Sequence, residues 1–533
     1  MPLPDRSLIT PAFDPLRLVA PLRDGMTLLR AGLVRPERPD RLVRAGLAIM
    51  SYGVGVGAGI AAGAARFPHD IALVDDRGPL SWKDLETRSN GAAHTLRALG
   101  VGPGERAALF ARNGRDFVIG AAGIGKTGAD TVLLNTALSG EQLSAALARE
   151  DVRAIVSDRG LLDLAATLPA PAYAVDDLAQ GRSDAPIPTG QSGRLVVLTS
   201  GTTGTPKGAG RRAVADADAF LALISGMGLR AHALHVVPAP LFHAWGFAGF
   251  GLALALNATL VLHERFDAEQ VLVDIEQHEA EVLWAVPVML QRILALPEET
   301  IRRYDTSSLR CVAVSGSALP GGLPERWQEL FGATLHSVYG STEVGWATVA
   351  TPLDLAADPR TAGRPARGVE VRIVDDEGND VPPGETGRVF VGSALSFEGY
   401  TGGADKQRLA GLVSSGDLGH FDEDGRLTVD GREDDMVITG GENVFPRGIE
   451  DVLTRHDDVA EAVVVGVPDD ELGHRLVAYV APRDGARIDP DALRDWLRPQ
   501  VARYELPRAV QVIDTLPRNA TGKVVVRDLP QPG

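Results

Sequence analysis

Residues able to do chemistry concentrate in a few short runs, of which the densest is Thr199-Ser200-Gly201-Thr202-Thr203-Gly204-Thr205-Pro206-Lys207-Gly208, directly behind the apolar stretch Leu195–Leu198. Glycines let a backbone approach phosphate closely and aim its amides inward, hydroxyls add donors, and Lys207 adds positive charge. That is the chemistry of gripping a nucleotide's phosphates; Pro206 and the preceding strand-like run argue against a flexible linker. A competing run, Gly120–Thr127, fits the Walker A expression residue for residue. A working P-loop needs a strand before it and a helix starting at its lysine. Here the chain from Asp116 reads as a helix already under way, so Lys126 is expected to be scaffold.

The phosphate-gripping run resembles the signature of the adenylate-forming superfamily, and further motifs follow in that superfamily's order over roughly residues 60 to 530. The chain is therefore identified as similar to AMP-forming acyl-CoA synthetases. The resemblance implies that Gly316, Ser317 and Ala318, within Ser315–Gly321, line an adenine pocket. It implies that Tyr339, Gly340 and Ser341 lie beside the base, that Thr342 meets the α-phosphate, and that Glu343, with Thr199, holds Mg²⁺. Each role suits its residue: a π-face for a base, a hydroxyl for an oxyanion, a hard carboxylate for magnesium. On its own, Tyr339–Glu343 would equally read as a strand end followed by a helix capping box.

Asp417 stands where the family binds ribose hydroxyls, Arg432 where ribose or phosphate is touched, and Asp434 at the hinge between two domains. Gly440, Gly441 and Glu442 correspond to a loop that meets the pantetheine arm of coenzyme A. Lys523 corresponds to the adenylation lysine, a mobile cation between the attacking carboxylate and the α-phosphate. Within Pro240–Phe247, His243 is the candidate gate of an acyl pocket, with a satisfied core histidine as the plainer reading. Trp245, Phe247 and Trp346 line a tunnel or fill the core. Arg388, Ser415 and Glu505 depart from common family residues without removing a catalytic group.

The elements that must position these residues follow from the hydrophobic pattern. Strand-like runs alternate with helical ones from residue 67 to about 430, with strands expected at Arg106–Phe110, Ala154–Val156, Leu195–Leu198, Thr259–Leu262 and Leu309–Val314. A shorter α+β unit follows, with strands at Glu461–Val467 and Leu476–Ala481 and a helix near Pro490–Val501. The expected fold is α/β. An extension (1–66) precedes a large adenylate-forming domain with mixed sheets (67–432), and a small mobile α+β domain (433–533) carries Lys523.

The extension is unusual in pattern. Apolar residues recur at helical spacing from Leu16 to Leu33 among arginines, and Ala45–Ala65 runs 21 residues without a charge. That length could cross a bilayer, and its glycines have the small-xxx-small spacing of packed membrane helices, yet it is only weakly hydrophobic. A buried or surface-packed helix is the first expectation; peripheral membrane contact through residues 1–66 and a true span stay open.

Composition narrows the class. With 533 residues, 44% hydrophobic and 23% charged, the chain is long enough for two or more domains. A net charge of -17 disfavours nucleic acid as a partner. The single cysteine, Cys311, excludes an internal disulfide and a multi-thiolate zinc site. Only five of the 53 basic residues are lysines (Lys83, Lys126, Lys207, Lys406, Lys523), so each is a candidate for a place that wants a compact ammonium. The expectation is a cytoplasmic enzyme, open to membrane association and to homodimer formation. It would take ATP, Mg²⁺, coenzyme A and a carboxylic acid, a fatty acid by preference; an aromatic acid or transfer to an acyl carrier protein are the alternatives. A non-catalytic membrane adaptor is the remote one.

Overall fold

The computed structural model describes residues 24–531 apart from 181–182, 200–206, 212–216, 398, 401–405, 440–441, 470–472 and 520–522. Two sheets dominate. A six-stranded sheet runs from Ala172–Ala174 through Ala154–Ser157, Arg106–Phe110, Asp130–Leu133 and Leu195–Thr199, all parallel, to the antiparallel Lys207–Arg211. Its continuous apolar strands, such as Ala154–Ser157, are buried along their whole length, as a parallel sheet covered on both faces requires.

The second sheet has 14 strands and changes character midway. Parallel strands including Thr259–Val261, Val282–Ala285, Cys311–Val314 and Leu335–Ser341 form one half. From Gly345–Ala350 onward the pairing is antiparallel, through Thr361–Pro365, Leu427–Arg432, Leu412–Phe421 and Gly387–Gly392 to Glu370–Val374. The expected strands are all present, and the fold is the mixed α/β architecture read from the sequence. A third, three-stranded sheet (Val459–Asp469, Gly473–Pro482, Ala509–Val512) packs with the helices Pro446–Leu453 and Pro490–Leu497 around Ile449, Leu453, Val464, Leu476 and Leu497.

The uncharged stretch Ala45–Ala65 is not one helix. It divides into α1 (Pro39–Tyr52) and α2 (Val56–Arg66), because the chain turns at Gly53 with φ 71°, a left-handed conformation that glycine adopts without strain. Among the described residues no helix is long and apolar enough to cross a membrane. The small-residue spacing serves close packing instead: a Cβ on Gly63 would fall 2.3 Å from Trp82, and one on Gly57 would fall 2.9 Å from the Lys126 side chain.

Helix α3 (Trp82–Ala98) starts at Ser81 with a capping box to Asp84, and α4 (Arg115–Thr127) stops at Gly128 in the left-handed region. Helix α4 contains the Walker-like run and is buried nearly all round. Lys126 lies in its last turn, fully enclosed, and its ammonium donates to Glu86 Oε2 (2.5 Å), Ser89 Oγ (2.8 Å) and Asn90 Oδ1 (2.8 Å) of α3. Three donors meet three acceptors, so nothing is left over for a phosphate. The run is scaffold, as its helical context predicts.

Candidate active site

The register of the long sheet builds the site. Across the antiparallel pair Leu412–Phe421 and Leu427–Arg432, Asp417 lies opposite Arg432, and their side chains approach to 3.8 Å. The Tyr339 hydroxyl, arriving from the strand Leu335–Ser341, donates to Asp417 Oδ2 at 2.5 Å. Burial, then the Asp417 charge, push the Tyr339 phenol well above its usual range, so it stays a donor. Ser415 fixes the backbone beside it: its hydroxyl donates to the Val389 carbonyl and accepts from the Asp417 N–H.

Tyr339–Glu343 forms a strand end and a tight turn into the strand Gly345–Ala350, not the start of a capped helix. Gly340 is required there, since a Cβ would meet the Gly345 carbonyl oxygen at 2.0 Å. The backbone N–H of Glu343 donates to Ser341 Oγ (3.2 Å), and Glu343 Oε1 accepts from the Tyr400 hydroxyl (2.6 Å). Burial raises the Glu343 carboxyl, but hydrogen bonds from Tyr400 and Ser341 and the charge of Lys406 outweigh it and hold the group below its ordinary range. An ionised carboxylate on a cavity wall has the chemistry to hold Mg²⁺, which needs only one or two protein carboxylates beside phosphates and water.

Gly316, Ser317 and Ala318 follow the end of the strand Cys311–Val314 and line the same cavity as Tyr339, Thr342, Glu343, Asp417 and Arg432. Gly316 has φ 100°, open to glycine alone without strain. The cavity measures about 2460 Å³ and also receives Lys523, contributed by the last segment of the chain. Desolvation in the cleft, then Arg432, depress the Lys523 ammonium, while Asp417, Glu343 and Asp435 act in the other direction. Solvent still reaches this side chain, which screens those charges.

His243 precedes α5 (Ala244–Ala255) and is half-buried against Phe242, ring centroids 4.6 Å apart. Among the described residues its Nε2 has no hydrogen-bond partner. Burial, helped by the charge of Lys523, pushes its pKa down to about 4, so the ring is neutral at physiological pH. The satisfied-core-histidine reading therefore fails at that nitrogen, and His243 lies on the cavity wall. Gly246 brings α5 against the preceding loop, because a Cβ would sit 2.2 Å from the Pro240 carbonyl oxygen. Trp245, Phe247 and Trp346 are both wall and core: all three line the cavity, Trp245 Nε1 donates to the Ala285 carbonyl, and Trp346 meets Phe220 edge-on at 6.3 Å.

Other sequence candidates are placed only in part. Ser200, Gly201, Thr202, Thr203 and Gly204 lie outside the described residues, as do Gly440 and Gly441. Thr199 and Lys207 face each other across the pair Leu195–Thr199 and Lys207–Arg211, which brackets that loop, and Glu442 begins the strand Glu442–Val444. Asp434 falls in the 3-10 turn Glu433–Asp435, directly after Arg432. Among the cavity residues not singled out for the site by sequence are Tyr400, Asp435 and Lys406. Lys406 was marked by lysine scarcity alone, Asp435 only by standing beside Asp434, and Tyr400 carries no signal before folding.

The family model of AMP-binding enzymes matches residues 60–401, and that of the AMP-binding enzyme C-terminal domain matches residues 448–523. The chain belongs to the AMP-binding enzyme family. It is an adenylate-forming ligase of the acyl-CoA synthetase kind, which uses ATP and coenzyme A and for which Mg²⁺ is standard. Relatives in this AMP-binding family include feruloyl-CoA synthase of an Amycolatopsis species, 33% identical over 86% of this chain and 95% of the relative. Indoleacetate–CoA ligase of Aromatoleum aromaticum is 37% identical over 64% of this chain and 67% of its own length. Among solved structures, o-succinylbenzoate CoA synthetase of Bacillus subtilis with its acyl-adenylate intermediate superposes with a TM-score of 0.79 at 27% identity, covering 89% of this chain and 98% of that one.

Proposed function

We propose that this enzyme activates a ring-bearing, largely apolar carboxylic acid as its acyl-adenylate and transfers the acyl group to coenzyme A. One observation carries the reading: Lys523, Asp417, Arg432 and Glu343 share a cavity with the aromatic wall of Phe220, Phe247 and Trp346. Flat aromatic side chains suit a ring by stacking or edge contacts. The fatty acid favoured by sequence is thereby displaced to second place, since the acids named in the relatives above carry rings.

In the first half-reaction a substrate carboxylate oxygen attacks the α-phosphorus of ATP, pyrophosphate leaves, and acyl-AMP remains. Asp417 takes the ribose hydroxyls, with Tyr339 holding its carboxylate in place and Arg432 beside it. Thr342 meets the α-phosphate, and the Thr199–Lys207 loop grips the departing pyrophosphate. Lys523 lies between the two reacting groups, where its charge opposes the negative charge that builds in the transition state. Glu343 would hold Mg²⁺ with Thr199, which supplies charge neutralisation at the phosphates.

In the second half-reaction the thiol of coenzyme A attacks the acyl carbonyl of the mixed anhydride and AMP leaves. The same cavity serves both if residues 433–533 swing about Asp434, withdrawing Lys523 and presenting Gly440, Gly441 and Glu442 to the pantetheine arm. The large domain would then be residues 67–432, behind an extension of residues 1–66.

The test is a panel of aromatic, fused-ring and straight-chain acids read by pyrophosphate release, with and without coenzyme A. Preference for straight chains would overturn the ring assignment. Turnover that ignores free coenzyme A but responds to an acyl carrier protein would overturn the acceptor.

A further inference from the structure

Helix α1 presents to solvent a face that a soluble helix would normally turn inward. Leu42, Val43, Leu47, Ile49 and Met50 are 48%, 62%, 53%, 47% and 75% exposed. At 100° per residue these five, with Gly46 among them, span an unbroken arc of roughly 160° that holds no charged residue. Ala45 and Tyr52 occupy the opposite side and are buried, so the helix is seated and its apolar face is left uncovered by the described residues. Met26 (49%), Leu29 (54%) and Val34 (54%) extend the exposed apolar surface to the preceding segment. A patch of this size on a soluble chain marks a surface made to be covered.

Charge argues for what covers it. Arg38 and Arg44 lie on the two flanks of the apolar arc, with Asp40 beside Leu47 pairing to both (3.0 and 2.6 Å), so the rim carries one net positive charge on long side chains whose stems lie on apolar surface. Over residues 1–54 the chain carries eight arginines against five acidic residues, whereas the whole protein carries -17. An acidic body with one basic, apolar face is oriented by an anionic lipid surface, which attracts that face and repels the remainder.

We propose that α1 is a peripheral docking helix for anionic phospholipid membranes, lying in the interface with Val43, Leu47 and Met50 among the acyl chains and the flanking arginines at the headgroups. The cavity that receives Lys523 is also lined by Ile49, Tyr52 and Val54, where α1 passes into α2. Docking therefore brings an apolar stretch of that cavity to the lipid surface, a way in for an acid dissolved in the bilayer; this last step rests on the substrate reading above, while docking itself does not.

The experiment is sedimentation of the full-length protein with phosphatidylcholine vesicles, with and without phosphatidylglycerol, alongside Val43→Glu/Met50→Glu and a control, Leu353→Glu, whose side chain is 82% exposed elsewhere. Wild type and control should partition onto the anionic vesicles, and the double variant should lose about tenfold or more of that binding. All three should turn over a water-soluble acid equally, which shows that folding is intact. Three results overturn the proposal: no vesicle binding by wild type, equal binding by the double variant, or a lipid-free dimer of wild type that the double variant converts to monomer. The last would make the face a contact between copies of the chain.

Discussion

Lys126 and Lys523 are both ammonium groups held below the ordinary lysine range, in opposite settings. Burial depresses Lys126, and Glu86 pulls the other way; its three donors are used by Glu86, Ser89 and Asn90. Lys523 faces an open cleft, where desolvation and then Arg432 press its charge down and Asp417, Glu343 and Asp435 support it. The first sits in a run that matches a nucleotide-binding expression and is structural. The second sits in the C-terminal segment that resembles the family's adenylation-lysine motif, and it reaches the cavity. Enclosure and the supply of acceptors separate the two roles; a match to the Walker A expression by itself does not.

The comparison can be broken from either side. Lys126→Ala leaves Glu86 facing an emptied, buried site and should cost ~3–5 kcal/mol of stability in denaturant unfolding. A double change, Lys126→Met with Glu86→Leu, should recover most of that loss; failure to recover would show that Lys126 does more than fill its site. Lys523→Ala should leave stability unchanged and slow acyl-AMP formation by about 10²–10³-fold, while thioester formation from supplied acyl-AMP proceeds. Equal loss of both half-reactions would remove Lys523 from the first step alone. Asp417→Asn should raise the KM for ATP by roughly 10- to 100-fold with a smaller change in kcat, as expected for one charged hydrogen-bonding partner. An unchanged KM would place the ribose elsewhere.

The smallest effect is in pH dependence, and its sign follows from burial. His243 and His235 have folded pKa values lowered to about 4 and about 3, mainly by burial, so unfolding lets them take up protons as pH falls. Stability should decline from about pH 6.5 down through pH 4, with a shallower slope in His243→Gln. His263 behaves oppositely: hydrogen bonding to Asp274, and then to Asp76, outweighs burial and raises its pKa to about 9. The stability it contributes is complete below pH 6.5 and is lost as pH rises through 9. A His263→Gln variant whose alkaline unfolding profile matched wild type would contradict that assignment.

Much of the architecture was legible beforehand because buried parallel strands are short apolar runs, as at Arg106–Phe110 and Ala154–Ser157, and need no distant partner to be recognised. The stretch Ala45–Ala65 was harder. Its lack of charge suits one long helix, and only the positive φ at Gly53 and the approach of Trp82 to Gly63 divide and seat it. Tyr339–Glu343 gave two local readings, and pairing with Gly345–Ala350 selected the turn. Tyr400, whose hydroxyl anchors Glu343 across 57 residues of chain, had no local signature at all.

By itself the sequence determined the order of the motifs, the α/β alternation and the scarcity of lysine, since these depend on residue type and near-neighbour spacing. Only the tertiary structure decided that Lys126 is sealed while Lys523 is open, that His243 keeps a nitrogen unpartnered among the described residues on the cavity wall, and that α1 keeps an apolar face outward. Those outcomes turn on burial and on which acceptors lie within about 3 Å, and such contacts join residues far apart in the chain.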